Sequence, residues 1–234
     1  MVTVQVLEDR EALARAVAHR ISTRVAELQE TQARRPRLVL TGGSVAGEIY
    51  GLLTGDALTW QEVDYYWGDE RYVESSSSDR NELQAREAFL DRFEVPEERI
   101  HAMPAAARYA SKEEAAESYA ADLPDEFDLV LLGVGPDGHI ASLFPGFEQL
   151  AVLDRDVVAV DDSPKPPPER LSLTFAALNR TTALWFVVAG EDKAQAVAAA
   201  LAGSPVEEVP AAGARGIEET LWLLDTEAAG RLPR

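Results

Sequence analysis

The 234-residue chain contains no cysteine, two methionines and three histidines. Without cysteine it forms no disulfide and offers no thiolate to a metal. His19, His101 and His139 stand far apart along the chain, so no histidine-rich zinc motif is spelled out. Cations are scarce too. Lys and Arg total 22 against 41 Asp and Glu, a formal charge of −19 and a pI near 4.5. That deficit argues against nucleic acid, whose binding needs clustered cations that release counterions. It argues equally against docking on anionic lipid. No uninterrupted apolar run reaches the roughly 18 residues of a membrane span. The start, MVTVQVLEDR, lacks the basic-then-apolar order of a signal peptide. The expectation is a cytoplasmic protein with neither a nucleic-acid nor a membrane partner. What the chain does have is 46% hydrophobic residues and enough length to bury about 70–75% of its unfolded surface. Neither a repeat nor a linker interrupts it, so residues 1–234 are expected to form a single domain.

Short apolar runs alternate with amphipathic stretches. Val2–Leu7 reads as a strand, and Asp9 caps a helix to about Gln32 with the stripe Leu13, Val17, Ile21, Val25 and Leu28. Strands follow at 37–41, 63–67, 127–132, 157–160, 183–189 and 221–224. Helices are expected from Ser44 to about Leu53, from Arg80 to Asp91, from Ser111 with Glu114 as a capping box, and over Glu191–Leu201. The prolines at 164, 166, 167 and 168 make 161–169 an extended loop. Alternation of this kind implies an α/β fold with a mainly parallel twisted sheet and helices on both faces. Ligands in such sheets bind beyond the carboxyl ends of the strands.

The unusual clusters all fall at those ends. Gly42-Gly43-Ser44 lets backbone approach a ligand just before a helix start, which suits a phosphate. The other readings of this segment are a tight turn with Ser44 as cap, or a serine nucleophile elbow, whose second glycine is replaced by Ala46. Trp67-Gly68-Asp69-Glu70-Arg71 leaves acids and a guanidinium suited to bidentate anion contacts, or simply a Glu–Arg surface pair. Asn81 follows as an amide for a sugar hydroxyl or as a helix start. Gly133 to Gly138 spells G-x-G-x-x-G, but Pro145-Gly146 stops any long helix and Asp137 opposes a pyrophosphate, so a dinucleotide site is rejected. The better reading is a glycine turn presenting Asp137 and His139, a base and its orienting carboxylate. Arg170 and Lys193 are further cations at strand ends.

Taken in order, these clusters resemble the 6-phosphogluconolactonase family, most specifically through Gly135-Pro136-Asp137-Gly138-His139-Ile140-Ala141-Ser142-Leu143-Phe144-Pro145-Gly146. The resemblance covers nearly the whole chain. It implies a Rossmann-like fold shared with glucosamine-6-phosphate deaminase, no required cofactor, and hydrolysis of 6-phospho-D-glucono-1,5-lactone in the pentose phosphate pathway. The deaminases share the phosphate loop and the Asp-Gly-His segment. Theirs continues into Phe-Asn-Glu-Pro, where this chain has Ser142-Leu143-Phe144-Pro145 and no acid. Where they have Asp-Glu-Tyr, this chain has Asp69-Glu70-Arg71.

On this basis His139 and Asp137 are the expected catalytic pair. Gly42, Gly43, Ser44, Asp69, Arg71, Asn81, Gly135, Arg170 and Lys193 are the expected substrate- and phosphate-binding residues. Backbone N–H groups near Gly42 or Gly135 are the expected oxyanion donors, and no metal is expected. The expected partner is a small phosphorylated sugar lactone, bound by a monomer or weak homo-oligomer. The competing functions are a sugar-phosphate isomerase or deaminase, a Ser44-dependent esterase, and a non-catalytic sugar-phosphate sensor.

Overall fold

The computed structural model describes residues 2–233. Strand β1 (Val2–Leu7) leads into α1 (Arg10–Thr31), whose first turn is closed by Asp9 accepting from the Ala12 N–H at 2.7 Å. The expected stripe of α1 is buried. Strand β2 (Arg37–Leu40) turns through Gly42-Gly43 into α2 (Ser44–Gly51), with Gly43 and not Ser44 as its cap. Helix α3 (Ala57–Gln61) precedes β3 (Asp64–Trp67) and β4 (Asp69–Arg71). The helix expected over 80–91 exists as α4 (Asn81–Ala85) followed by one wide turn, Arg86–Leu90. Helix α5 (Lys112–Asp122) is capped by Ser111, which accepts from the Glu114 N–H. Strands β5 (Phe127–Leu132), β6 (Val157–Val160) and β7 (Arg170–Leu173), helix α6 (Phe175–Leu178) and strand β8 (Thr181–Val188) follow. A tight turn at Glu191–Lys193 opens α7 (Ala194–Leu201), and β9 (Glu219–Asp225) comes last.

Six strands form one parallel sheet in the order β1-β9-β8-β5-β2-β3. From β2 the chain moves outward to β3, whereas from β5 it moves the other way through β8 to β9. Crossovers of one hand running in opposite directions lie on opposite faces. Helices α1 and α2 therefore share one face, where they touch each other, and α5 and α7 cover the other. The buried apolar cluster runs from Leu13 to Ala228.

A second sheet is not anticipated by the sequence pattern. It is antiparallel, in the order β4-β7-β6, and β4 continues from β3 after a single residue, Gly68. The segments around Arg71 and Arg170, read from sequence as a strand end and a loop exit, are thus paired strands. Arg71 lies directly opposite Arg170.

The amino ends of the central strands are tied by Asp128, fully buried in β5. It accepts from Arg34 at 2.7 and 3.0 Å, from Gln32 at 2.8 Å and from the Arg37 N–H at 2.8 Å. Burial pushes its carboxyl up, but the Arg34 and Gln32 bonds outweigh that and hold it below the usual range. A depressed carboxyl stabilises the fold above its unfolded value near 3.9, and the effect fades as pH falls through the folded value. Asp128→Ala leaves these donors unpaired, and urea unfolding at pH 7 should show a loss of about 3 kcal/mol. Turnover should stay within about twofold, because the site described next lies at the opposite end of the sheet.

Candidate active site

The direction of the chain reverses between β2 and β5, and a sheet opens a crevice at such a point. Two glycine turns border it: Gly42-Gly43 after β2, and Gly133 to His139 after β5. A cavity of about 270 Å³ occupies the crevice. The Tyr50 hydroxyl clamps the start of the first turn, accepting from the Thr41 N–H and donating to its carbonyl.

In the second turn the Gly135 N–H donates to the His139 carbonyl at 2.9 Å, folding the segment back on itself. A Cβ on Gly135 would stand 2.0 Å from His139 Nδ1, so only glycine lets the imidazole lie against this turn. His139 Nδ1 pairs with Asp137 Oδ1 at 2.5 Å, and the ring packs on Phe144 with centroids 4.6 Å apart. Nδ1 is thus taken up by Asp137, while Nε2 has no hydrogen-bond partner among the described residues. His139 lines the cavity, while Asp137 sits behind it. Burial pushes the Asp137 carboxyl up, but the bond to His139 and its charge prevail, and the carboxyl falls to about 2.

The second sheet builds the opposite wall. Asp69 accepts from Ser142 Oγ at 2.7 Å and lies 3.8 Å from Arg170. Arg71 donates to Asn81 Oδ1 at 2.8 Å and to the Asp79 carbonyl, while its Nε is buried without a partner. Asn81 in turn donates to the Asp69 carbonyl at 2.8 Å. Its amide oxygen occupies the space beside Gly42, where a Cβ would come within 1.9 Å. Buried Arg170 donates to the carbonyls of Pro167 and Lys165 at 2.8 and 2.9 Å, fastening the proline loop to the sheet. Burial first, and Arg71 second, pull its guanidinium below the usual arginine value against the opposing effect of Asp69. Cross-strand like charges repel, so this pairing costs stability unless an anion lies between the two side chains.

Lys193 reaches the same cavity, held 2.9 Å from Asp192. Arg71, Arg170 and Lys193, scattered over more than 120 positions, thus converge as expected. The residue that sequence reasoning missed is Lys165, which also lines the cavity. Its amine is pulled below the usual lysine value by burial, then by Lys193 and Arg170. The signal was its place between two prolines in an extended loop, in a chain with only three lysines. Ser44 faces an adjoining apolar recess of about 200 Å³ that shares Gly42, Gly43 and Lys193 with the main cavity. Four cations and one carboxylate, Asp69, therefore surround a single imidazole. Among the described residues no group of three or more His, Asp or Glu side chains is placed to hold a metal ion.

A crevice at the switch point of a parallel sheet, lined by one histidine and four cations, suits a small anionic ligand. The chain belongs to the glucosamine-6-phosphate isomerase/6-phosphogluconolactonase family, whose model matches residues 8–222. It is 43% identical to the 6-phosphogluconolactonase of Streptomyces coelicolor, over 97% of this chain and 93% of that protein. It is also 43% identical to the 6-phosphogluconolactonase of Mycobacterium leprae, over 99% and 98%. The crystal structure of 6-phosphogluconolactonase from Thermotoga maritima superposes with a TM-score of 0.86 at 29% identity, covering 96% of this chain and all of that one. A monomeric glucosamine-6-phosphate deaminase shares the fold, with a TM-score of 0.79 at 20% identity and coverage of 97% and 99%.

The state of Asp137 is directly measurable. Carbon-13 titration of its carboxyl should give a midpoint well below the ordinary value near 3.9. In His139→Ala the burial remains and the bond is gone, so the midpoint should move upward. An unchanged midpoint would mean that His139 does not set it. The pair stabilises the fold above the unfolded carboxyl value and less so as pH falls towards 2.

Proposed function

We propose that this chain hydrolyses 6-phospho-D-glucono-1,5-lactone to 6-phospho-D-gluconate, a step of the oxidative branch of the pentose phosphate pathway. The observation that carries the reading is His139, backed by Asp137 and presenting a free Nε2 to a cavity ringed by Arg71, Lys165, Arg170 and Lys193. Full-length identity to bacterial lactonases supports the choice of substrate. In this reading residues 1–234 act as one catalytic domain in the cytoplasm, as a monomer or weak homo-oligomer.

The chemistry follows from the groups present. His139 Nε2 takes a proton from water as the water oxygen attacks C1, and Asp137 stabilises the imidazolium that forms. The carbonyl oxygen becomes an oxyanion. The Gly135 N–H is already donated to His139, which removes it from the expected oxyanion donors. The Gly42 and Gly43 N–H groups make no hydrogen bond among the described residues and take that role. Collapse of the tetrahedral intermediate breaks the bond from C1 to the ring oxygen, which leaves as an alkoxide and takes the proton back from His139. The 6-phosphate lies among the cations, with Lys193, Lys165 and Arg71 as its contacts. Arg170 fastens the loop that carries Lys165 and turns its remaining edge to the cavity. Asp69, held by Ser142, and Asn81 meet the sugar hydroxyls.

A coupled assay on freshly made lactone, corrected for spontaneous hydrolysis, tests this. Wild type should show saturable turnover, and His139→Ala should lose about 10²–10⁴-fold in kcat with little change in KM. Near-full kcat in that variant removes His139 from the mechanism. Lys165→Met and Lys193→Met should mainly raise KM. Glucosamine 6-phosphate should release no ammonia, because Ser142-Leu143-Phe144-Pro145 carries no acid to open the ring.

A further inference from the structure

Arg10, the first residue of α1, belongs to none of the strand-end clusters that line the cavity. Its guanidinium reaches across to the start of α2. Nη2 donates to Ser44 Oγ at 2.8 Å and to Glu48 Oε1 at 2.7 Å, and Nε donates to Glu48 Oε2 at 3.0 Å. A guanidinium has five donors and no acceptor. The Ser44 oxygen is therefore the acceptor in that bond, and its one O–H proton is left to be given elsewhere. Ser44 borders the recess that shares Gly43 and Lys193 with the main cavity. A phosphate dianion only accepts hydrogen bonds, so this is the polarity it needs.

Glu48 stands one turn after Ser44 on α2 and shares the same Arg10 nitrogen. If Arg10 were removed, that carboxylate would lie bare within reach of the hydroxyl. It would draw the Ser44 proton away from the ligand.

We propose that Arg10 is a positioning residue for the phosphate end of the substrate: it fixes Ser44 as a hydrogen-bond donor and masks Glu48. The inference rests on the phosphate reading given above. It assigns to a residue 34 positions away from Ser44 a part in substrate affinity and none in the bond-breaking step.

Kinetics of Arg10→Met, Ser44→Ala and the double variant, with calorimetry on 6-phosphogluconate, test it. Arg10→Met should raise KM about tenfold with kcat within about twofold, as loss of a charge-assisted contact predicts. The loss on unphosphorylated glucono-1,5-lactone should be much smaller, which a general loosening of the fold would not produce. Because Arg10 acts through Ser44, the double variant should be no weaker than Ser44→Ala. Arg10→Lys, which keeps the charge and loses the fork, should fold even if Arg10→Met does not, and should show a smaller KM rise that also vanishes in the Ser44→Ala background. An unchanged KM, an equal loss on the unphosphorylated lactone, or an Arg10 penalty that persists without Ser44 would overturn the proposal. A wild type without lactone turnover would sink the lactonase reading instead. Calorimetry would then decide on Arg10 alone, with non-additive weakening of 6-phosphogluconate binding supporting it and additive weakening, or no binding, ruling it out.

Discussion

The cavity depends on one buried carboxylate that never touches it. Glu70 is 1% exposed and accepts the backbone N–H groups of Arg71, Asn81 and Glu82 at 2.8, 2.7 and 2.9 Å, with Arg80 at 3.7 Å. Burial pushes its carboxyl up, and Arg80 with the three N–H donors resists that shift. An acid at this depth is tolerable only because its acceptor sites are filled. The consequence is geometric: the start of α4 is locked to β4. Asn81, carried on that start, then fills the gap beside Gly42 and holds Arg71. The glycine turn of the first sheet and the cationic wall of the second thus meet through one amide, whose position Glu70 sets.

The parallel sheet and its crevice were legible in the sequence because its central strands are rich in apolar residues and the two glycine turns sit at the carboxyl ends of β2 and β5. Asp9 and Ser111 announced their helices, and both cap as expected. The second sheet was not legible. Strand β4 is three residues of mixed charge, Asp69–Arg71, and β7 is an Arg-Leu-Ser-Leu stretch about a hundred positions later. Strand β4 has no apolar periodicity and β7 alternates over only four residues after the prolines; the two are stabilised by pairing with each other and by the Asp69–Ser142 bond. Local pattern carries no information about such a partner. Lys165 was missed for a related reason: a lysine between prolines looks like solvated loop until Arg170 is seen gripping that loop's carbonyls.

The charge of −19 raises a difficulty for an anionic substrate. A uniformly negative surface repels it, and repulsion of that kind slows encounter. The fold answers locally. Arg71 and Arg170 face each other across two strands, and Lys165 and Lys193 come from two further segments. Burial first, and the neighbouring cations after it, pull Lys165 and Arg170 below their usual values. In the proposed reading that cost is relieved when the anionic substrate enters. The overall charge therefore says little about the ligand.

The balance of groups in the crevice also fits the chemistry. Deamination of an amino sugar needs a carbon acid deprotonated and an amine expelled, which calls for several acids and bases. Opening a lactone needs one activated water and a held oxyanion. The cavity offers one imidazole with one supporting carboxylate, while the remaining carboxylate, Asp69, is engaged by Ser142 and by Arg170. In the proposed reading most of its polar side chains grip an anion, and only one pair moves a proton. On that reading chemical selectivity lies in where the phosphate is anchored, because the anchor decides which carbon stands in front of His139 Nε2.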